Sequence, residues 1–415
     1  MTIITAVGGE APNLGIGLDG SSLAGGFGLA LADLESRMAI VATTAADNAA
    51  EVDREARFPS EAFSAARGQG LLGITVPQEL GGEGASVSDV VDVCYRLGRA
   101  CSSTGMIFAM HHVKLACLVR HGRDSAWHNN LLRRVASEQL LLASSTTEGQ
   151  GGGNIRSSAA PIEYNASRIA LERQATVISY GAYADGIVTT ARRSADAPAS
   201  DQVLAVFLKG DYSLETIMPW DTLGMRGTCS SGFVLRASGE SDQILPVSYD
   251  KIHVQTMVPT AHLMWASVWA GIAAGSIDCA QALIRSLARK SGGELPSGAA
   301  HFVKGKSALG TLRSLIASSL REFEAISDDE AALTSFEFQT RIALTKVEAS
   351  ELAVSIVLGM LRACGLAGYR NDNQFGVGRY LRDILSSPLM ISNERILSNV
   401  AATSLMSAVP AGLRD

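Results

Sequence analysis

The hydrophobic pattern of the chain changes twice, and the order of these changes limits the folds that it can adopt. From about residue 30 to 140, apolar residues recur at helical spacing. From about 140 to 250 this period gives way to short β-branched runs separated by Gly, Ser, Asp and Asn, which predicts a small β-barrel or β-sandwich. From about 255 to 405 four long helical patterns with short connections return, as in an up-and-down four-helix bundle. The sequence therefore predicts an α+β chain whose middle β domain separates two helical domains.

The boundaries of these parts are predicted where the pattern changes. Residues 1–28 form a Gly-rich N-terminal extension, 29–140 the N-terminal helical domain, 141–252 the middle β domain, and 253–415 the C-terminal helical bundle. This order alone does not fix a function, because one fold supports many functions.

Charge and composition exclude several classes of protein. The 415 residues carry 35 basic and 41 acidic side chains, a formal net charge of −6, so the basic surface that nucleic-acid binding needs is not expected. The most apolar stretch, 263–277, has 15 residues and is too short to span a membrane. The six cysteines show no C-x-x-C spacing, which predicts buried thiols in a reducing compartment, and residues 1–26 lack a signal-peptide pattern. We therefore expect a cytoplasmic protein that binds neither nucleic acid nor membranes.

Two local motifs resemble a phosphate-binding loop and a metal site, but their spacing does not match either. Lys304-Gly-Lys-Ser307 resembles the end of a phosphate-binding loop, but Ala300 stands where such a loop needs a glycine. His111 and His112 are adjacent and do not share a helix face, and neither has a carboxylate or Cys three or four residues further on. We therefore predict no metal site.

Six short motifs, most of them rich in glycine, follow one another along the chain. They are Gly73-Ile-Thr-Val-Pro77 with Gly81-Gly-Glu-Gly84; Thr147-Glu-Gly-Gln-Gly-Gly152-Gly-Asn154; Val177-Ile-Ser179-Tyr-Gly181; Leu223-Gly-Met-Arg-Gly-Thr228; Arg289-Lys-Ser-Gly-Gly293; and Arg362-Ala-Cys-Gly365-Leu-Ala-Gly368-Tyr369 with Tyr380-Leu-Arg-Asp383. In this order they resemble the motifs of the acyl-CoA dehydrogenase flavoproteins, over nearly the whole chain from about residue 30.

The resemblance implies a bound flavin, FAD or alternatively FMN, and assigns residues to it. Glycines let backbone N–H groups approach the cofactor closely, hydroxyl groups bond the isoalloxazine edge, and an Arg fork suits a pyrophosphate. It also implies a homodimer or homotetramer, because relatives complete each FAD site with a second subunit. The residues that it assigns to cofactor binding are Thr147, Gly152, Ser179, Arg289, Gly365 and Gly368.

The chain departs from the family where the chemistry is done. A dehydrogenase of this family removes the α-proton of an acyl thioester with a carboxylate while a hydride goes to flavin N5. Counted from Arg382-Asp383, the usual Glu position holds Ile391, and a second position used in the family holds Ala261. Glu394 and His262 are the candidates for a displaced base.

Three functions remain open from the sequence. The leading prediction is α,β-dehydrogenation of an acyl thioester, with an electron-transfer flavoprotein as partner. The alternative is a two-component monooxygenase that receives reduced flavin from a reductase and acts on another small molecule in an apolar pocket. The third is a binding protein that has lost catalysis. Polar groups available to a monooxygenase site are His111, His112, His262, Ser179 and Ser392.

Overall fold

The computed structural model describes residues 33–148, 156–406, 409 and 411–412. Its first part is helical, as predicted. Ser86 begins the third helix with a reciprocal cap, because its hydroxyl accepts the Asp89 N–H while the Asp89 carboxylate accepts the Ser86 N–H. The helices of this part are α1 (Leu34–Glu55), α2 (Ser60–Gly68), α3 (Val87–Ala100), α4 (Ser102–His121) and α5 (Ala126–Glu138).

The middle part consists of two β-sheets. Its strands are β1 (Leu142–Ser145), β2 (Glu163–Asn165), β3 (Arg168–Ala175), β4 (Gly186–Arg192), β5 (Gln202–Leu208), β6 (Tyr212–Met218) and β7 (Gly232–Glu240). One sheet has the order β1-β4-β5, with β1 parallel to β4 and β4 antiparallel to β5. The other has the order β2-β3-β7-β6 and is antiparallel throughout. β4 and β5 are buried along almost their whole length, which explains the continuous apolar run 203–208 of β5.

Two of the β-branched runs that predict strands, at 175–179 and 243–247, differ in the structure. The run at 175–179 is not a strand beyond Ala175, because the chain turns there and Tyr180 adopts a left-handed φ of 45°. The run at 243–247 forms only an isolated bridge between Ala205 and Ile244, after a short 3₁₀ turn. Both runs are apolar because they pack on the sheets, and burial alone does not separate strands from covering segments.

The C-terminal part is again helical, which confirms the predicted order of helices, sheets and helices. It begins with a continuous helical stretch made of α6 (Tyr249–Ile252), a π-helical turn (His253–Met257) and α7 (Val258–Lys290). The helices that follow are α8 (Ala299–Ala325), α9 (Glu330–Thr334), α10 (Phe336–Tyr369), α11 (Gly378–Ile384) and α12 (Asn393–Met406).

Two of these helical stretches are apolar and long enough to cross a membrane by length and composition alone. They are Tyr249–Lys290 and Phe336–Tyr369. In the first, 83% of the most apolar window is buried inside the protein. That stretch is therefore the central core helix of the fold.

Glycines allow the helices around this core to approach closely. A Cβ on Gly271 of α7 would lie 2.2 Å from the Tyr95 carbonyl oxygen of α3, and one on Gly98 of α3 would lie 2.4 Å from the Val268 oxygen. On the other side of α3, a Cβ on Gly105 of α4 would lie 2.6 Å from the Gly98 nitrogen. These contacts hold α3 between α4 and α7 and fix the position of α4, which forms one wall of the site described next.

Candidate active site

A cavity of about 620 Å³ lies where the three parts of the chain meet. Its wall is formed by α4, by loops of the β part, by the start of the Tyr249–Lys290 helix and by the segment 382–391. This volume is typical of a site for a small molecule or cofactor. Of the site residues predicted from the sequence, the structure brings Thr147, Ser179 and His262 together in this wall.

One side of the cavity carries a chain of hydroxyl groups. The Ser179 and Ser230 oxygens lie 2.8 Å apart, as do the Ser230 and Thr228 oxygens. Thr228 can donate to the Met225 carbonyl oxygen, also at 2.8 Å. Because each hydroxyl both donates and accepts, Ser179 can present either a proton or a lone pair to a ligand, depending on how the three groups are oriented.

Tyr180 holds Ser179 in place. The Tyr180 side chain is fully buried, and its hydroxyl donates to the Leu142 carbonyl oxygen at 2.9 Å. The Tyr180 backbone N–H donates to the Thr228 carbonyl oxygen at 2.8 Å. A non-glycine residue with positive φ costs free energy and is kept only where the surroundings fix it, as they do here.

Glu148, next to Thr147, points away from the cavity and has a structural role. Its carboxylate accepts hydrogen bonds from the Ser158 hydroxyl at 3.0 Å and the Ala159 N–H at 2.5 Å, and lies 3.5 Å from the buried Arg173 guanidinium. These contacts orient the chain so that Thr147 lines the cavity. Gly152, predicted to approach the cofactor, lies outside the described residues.

His262 is buried in the cavity wall near the start of α7. Its Nδ1 lies 3.1 Å from the Ile342 carbonyl oxygen, and because a carbonyl only accepts, Nδ1 carries the proton and Nε2 a lone pair. Burial lowers the pKa of His262 to about 4, with the nearby Lys346 ammonium acting in the same direction. The imidazole is therefore neutral at physiological pH.

Ile391, which stands at the position where the family resemblance predicts a catalytic Glu, lines the cavity wall. Its φ is 54°, which a β-branched residue rarely adopts. The buried Lys346 holds this turn, because its ammonium donates to the carbonyl oxygens of Ser387 and Ile391 and to the Asn393 side-chain oxygen. The side chain at this position cannot accept a proton.

Glu394, the other proposed base, does not line the cavity. Its side chain is exposed in the first turn of α12, and Ser392 donates a hydrogen bond to it at 2.8 Å. Its own backbone N–H, then the Ser392 hydroxyl, lower the pKa of this carboxyl group. A general base for an α-proton needs the opposite, a raised pKa in an apolar site. The structure therefore contradicts the assignment of Glu394 as a base, because the left-handed turn at Ile391 directs the chain outward before Glu394.

The remaining predicted cofactor residues lie away from the cavity of their own chain. Arg289 is exposed in the last turn of α7. Gly365 interrupts α10 with φ 54° and ψ −137°, a conformation open essentially to glycine, and Gly368 packs against Cys364 and Val377. Their role in a cofactor site completed by a second subunit stays a prediction.

His111 and His112 are buried on α4 and have structural roles. His111 Nε2 donates to the Leu72 oxygen at 2.8 Å, and its Nδ1 accepts the Leu142 N–H at 3.0 Å. His112 Nε2 lies 3.1 Å from the Leu71 oxygen. Neither lines the cavity, so the structure does not support their use in a monooxygenase site. In the described part of the chain, no group of three or more His, Cys, Asp or Glu side chains could hold a metal ion.

The Arg382-Asp383 pair fixes the loop that covers one side of the cavity. The Asp383 carboxylate accepts the Met225 N–H at 2.7 Å, and Arg382 donates to the Leu223 oxygen and pairs with Asp53. Gly224 packs directly against the backbone of this pair, because a Cβ on Gly224 would lie 2.1 Å from the Arg382 carbonyl oxygen. The Leu223–Thr228 motif thus anchors this loop, and four of its residues also line the cavity: Leu223, Gly224, Met225 and Thr228.

Sequence reasoning missed Lys114 and His253, which both line the cavity and are buried. Lys114 interrupts the apolar pattern of α4, and this charged residue inside a predicted core helix was the signal available in the sequence. His253 gave no such signal, because the π-helical turn that carries it depends on packing. Among the described residues, no Asp or Glu lines the cavity.

Comparison with known proteins relates the chain to enzymes with different reactions. Residues 34–139 match the family described as acyl-CoA dehydrogenase, N-terminal domain. The amino sugar nitrososynthase DnmZ of Streptomyces peucetius is 26% identical over 352 residues, covering 81% of this chain and 84% of that protein. The probable acyl-CoA dehydrogenase FadE25 of Mycobacterium tuberculosis is 25% identical over 367 residues, covering 87% and 91%.

The solved structure of FMN-bound TdsC from Paenibacillus sp. A11-2 has the same fold. It superimposes with a TM-score of 0.80 at 19% sequence identity, covering 91% of this chain and 98% of TdsC. TdsC is described as a dibenzothiophene monooxygenase.

Proposed function

We propose that this chain, whose residues 34–139 match the acyl-CoA dehydrogenase N-terminal domain, is a flavin-dependent monooxygenase with the acyl-CoA dehydrogenase fold. The observation that carries this proposal is the absence of Asp and Glu from the described residues that line the cavity. An acyl-thioester dehydrogenase needs a carboxylate within hydrogen-bond reach of the α-proton. A monooxygenase does not.

His262 does not replace that base. Its Nε2 has a lone pair, and this is the one observation that favours dehydrogenation as a second candidate. However, taking up a proton would create an imidazolium inside a site that lowers its pKa to about 4. We propose instead that the neutral imidazole accepts a hydrogen bond from a substrate or cofactor group.

The residues of the cavity fit a flavin. Thr147 and Ser179 offer hydroxyl groups at one side, and Trp265 offers a buried indole N–H that has no partner among the described residues. These groups would hold the isoalloxazine edge. The flavin would supply the electrons that activate O₂. FAD is the flavin that the sequence motifs predict, and the FMN-bound relative supports FMN as the alternative.

One part of the wall suits oxygen chemistry because its apolar side chains disfavour water. Apolar side chains from α4 and from the helix that begins at Tyr249 face the cavity: Met106, Met110, Val113, Met257 and Val258. In the proposed reaction one oxygen atom of O₂ enters the substrate and the other becomes water, with two electrons and two protons supplied through reduced flavin. A separate flavin reductase is the proposed partner.

An isotope experiment tests the proposal. Reduced FMN or FAD and ¹⁸O₂ are supplied to the enzyme with dibenzothiophene, indole, amino sugar and aromatic acid substrates, and products are analysed by mass spectrometry. The proposal predicts a product that contains one ¹⁸O atom, formed only when enzyme, reduced flavin and substrate are all present. The absence of a labelled product from the whole panel would contradict it.

A further inference from the structure

Lys114 lies buried in the cavity wall without an anionic partner. It is 3% exposed on α4, and its ammonium contacts the Met257 sulfur at 3.3 Å. A thioether sulfur is a weak acceptor. Within the described residues no carboxylate forms an ion pair with Lys114. A buried charge without a partner is costly and is kept where a ligand completes it.

The groups around Lys114 do not neutralise it. Burial, and then the Arg173 guanidinium, lower the pKa of Lys114 to about 8, while Cys117 acts in the opposite direction. Arg173 already has Glu148 beside it at 3.5 Å. Lys114 therefore remains largely protonated at neutral pH, with a net positive charge at this end of the cavity.

His253 adds a second polar group that lacks a partner. It is 5% exposed, and neither ring nitrogen has a hydrogen-bond partner among the described residues. Burial first, then Arg156, His262 and Lys114, lower its pKa to about 3, so the ring is neutral and carries one N–H donor. Buried polar groups in native proteins are normally paired, and an unpaired one inside a cavity indicates a ligand.

The π-helical turn brings these two groups to the same end of the cavity. Met257, the last residue of the turn, contacts the Lys114 ammonium and also accepts from the Tyr249 hydroxyl at 3.5 Å. His253 begins the turn, four residues after Tyr249. π-helical turns are frequent at functional sites because they redirect side chains within a helix.

Building on the proposed monooxygenase function, we propose that Lys114 and His253 bind a carboxylate of the substrate, and that the substrate is an apolar monocarboxylic acid. One buried ammonium and one neutral N–H donor match the single charge and two oxygens of a carboxylate. A phosphate dianion would need further positive charge. The Met and Val side chains of the wall then contact the apolar remainder of the substrate.

Calorimetric titration of the flavin-loaded, full-length protein tests this site. Benzoate and the neutral isostere benzamide are the probes. We expect wild-type protein to bind benzoate at least about tenfold more tightly than benzamide, because only the carboxylate can make a charge-assisted bond to the buried ammonium. Lys114→Met should lose this preference. Lys306→Met, which removes an ammonium from α8 outside the cavity wall, should keep it.

Proton uptake gives a second readout on the wild-type protein and needs no variant. A bound carboxylate raises the pKa of Lys114 from its value of about 8, so binding at pH 8 should take up about half a proton. At pH 6, where Lys114 is already protonated, uptake should be near zero. His253→Phe should weaken benzoate binding and retain the uptake at pH 8, because the proton goes to Lys114.

Any one of three results would reject the proposed carboxylate site. They are equal affinity of the wild type for benzoate and benzamide, an unchanged preference for benzoate in Lys114→Met, and no proton uptake at pH 8. Because these titrations use neither reductant nor O₂, they are separate from the ¹⁸O₂ experiment. A charge preference without labelled product would reject the monooxygenase and keep the carboxylate site. Labelled product without a charge preference would reject the site alone.

Discussion

Two buried lysines, Lys114 and Lys346, show how differently the fold treats the same side chain. Lys346 donates to two carbonyl oxygens and an amide oxygen and lies 5.4 Å from the centre of the Trp269 ring. Among the described residues, the Met257 sulfur is the only atom within hydrogen-bonding distance of the Lys114 ammonium. Burial lowers the pKa of both ammonium groups to about 8. The three oxygen acceptors of Lys346 offset the cost of its burial and stabilise the turn that carries Ile391, whereas the burial of Lys114 is explained by a ligand.

The cost of Lys114 should appear as a pH-dependent effect on stability. Its pKa is about 8 in the folded protein against 10.5 for an ordinary lysine. Below pH 8 Lys114 is protonated in both the folded and the unfolded protein, so folding carries the full penalty of burying its charge. Between pH 8 and 10.5 Lys114 loses its proton in the folded protein only, and the penalty decreases. Below pH 8, Lys114→Met should therefore raise the melting temperature by an amount that corresponds to about 2–3 kcal/mol in the free energy of unfolding. At pH 10 the gain should be smaller. A gain that does not change with pH would contradict this explanation.

Removal of Lys346 should have the opposite result. Lys346→Met leaves the Ser387 and Ile391 carbonyl oxygens and the Asn393 oxygen without their donor. We expect a loss of about 3 kcal/mol in the free energy of unfolding, measured by urea denaturation. Lys306, an exposed residue of α8, provides the control. Lys306→Met should change the free energy of unfolding by less than about 0.5 kcal/mol. A Lys346 variant as stable as the control would show that the turn does not depend on it.

At the scale of elements, α10 contains a matched pair of glycines with different requirements. Gly365 has φ 54° and ψ −137° inside the helix, whereas Gly359 is helical. At either position an added Cβ would have no atom of the described residues within 4 Å. Space is therefore equal at the two positions and only the backbone differs. Gly365→Ala should destabilise the protein by about 1–3 kcal/mol, and Gly359→Ala should stabilise it by up to about 1 kcal/mol. Thermal unfolding distinguishes the two variants by their melting temperatures. Equal changes in melting temperature would contradict this prediction, because they would mean that α10 adopts regular helical geometry at residue 365 without loss of stability.

The elements also show what the sequence could and could not predict. The change from helical to strand periodicity predicted the order of the three parts. The family resemblance named Thr147, Ser179 and His262 as site residues, but only the structure shows that they line one cavity. Glu394 was assigned wrongly because the left-handed turn at Ile391 depends on Lys346, which is 45 residues away in the chain. Lys114 and His253 were missed because their environment arises only when α4 packs against the π-helical turn.

At the scale of the whole molecule, the single chain leaves apolar surface uncovered. Large side chains exposed on α10 and in the segment after α11 include Phe336, Leu366, Tyr369 and Leu389. Surface of this kind marks contacts between subunits. We therefore expect a homodimer or homotetramer in solution.

Such an assembly would explain the position of Arg289, exposed and away from the cavity of its own chain. If Arg289 reaches the flavin phosphate of a neighbouring subunit, Arg289→Gln should raise the flavin dissociation constant about tenfold, since a charge-assisted contact contributes about 1.5 kcal/mol. Lys290→Gln, one residue further along, should have little effect. Fluorescence titration of flavin measures both variants, and equal constants for Arg289→Gln and the wild type would reject the assignment.

The central claim is that this site does not remove an α-proton, and an anaerobic titration tests it most directly. The flavin-loaded protein is titrated with short, branched and aromatic acyl-CoAs while the visible absorbance of the flavin is recorded. The absence of a carboxylate from the described cavity wall predicts that the absorbance persists with every acyl-CoA. Bleaching by any of them would mean that a working base exists at this site and would contradict the account.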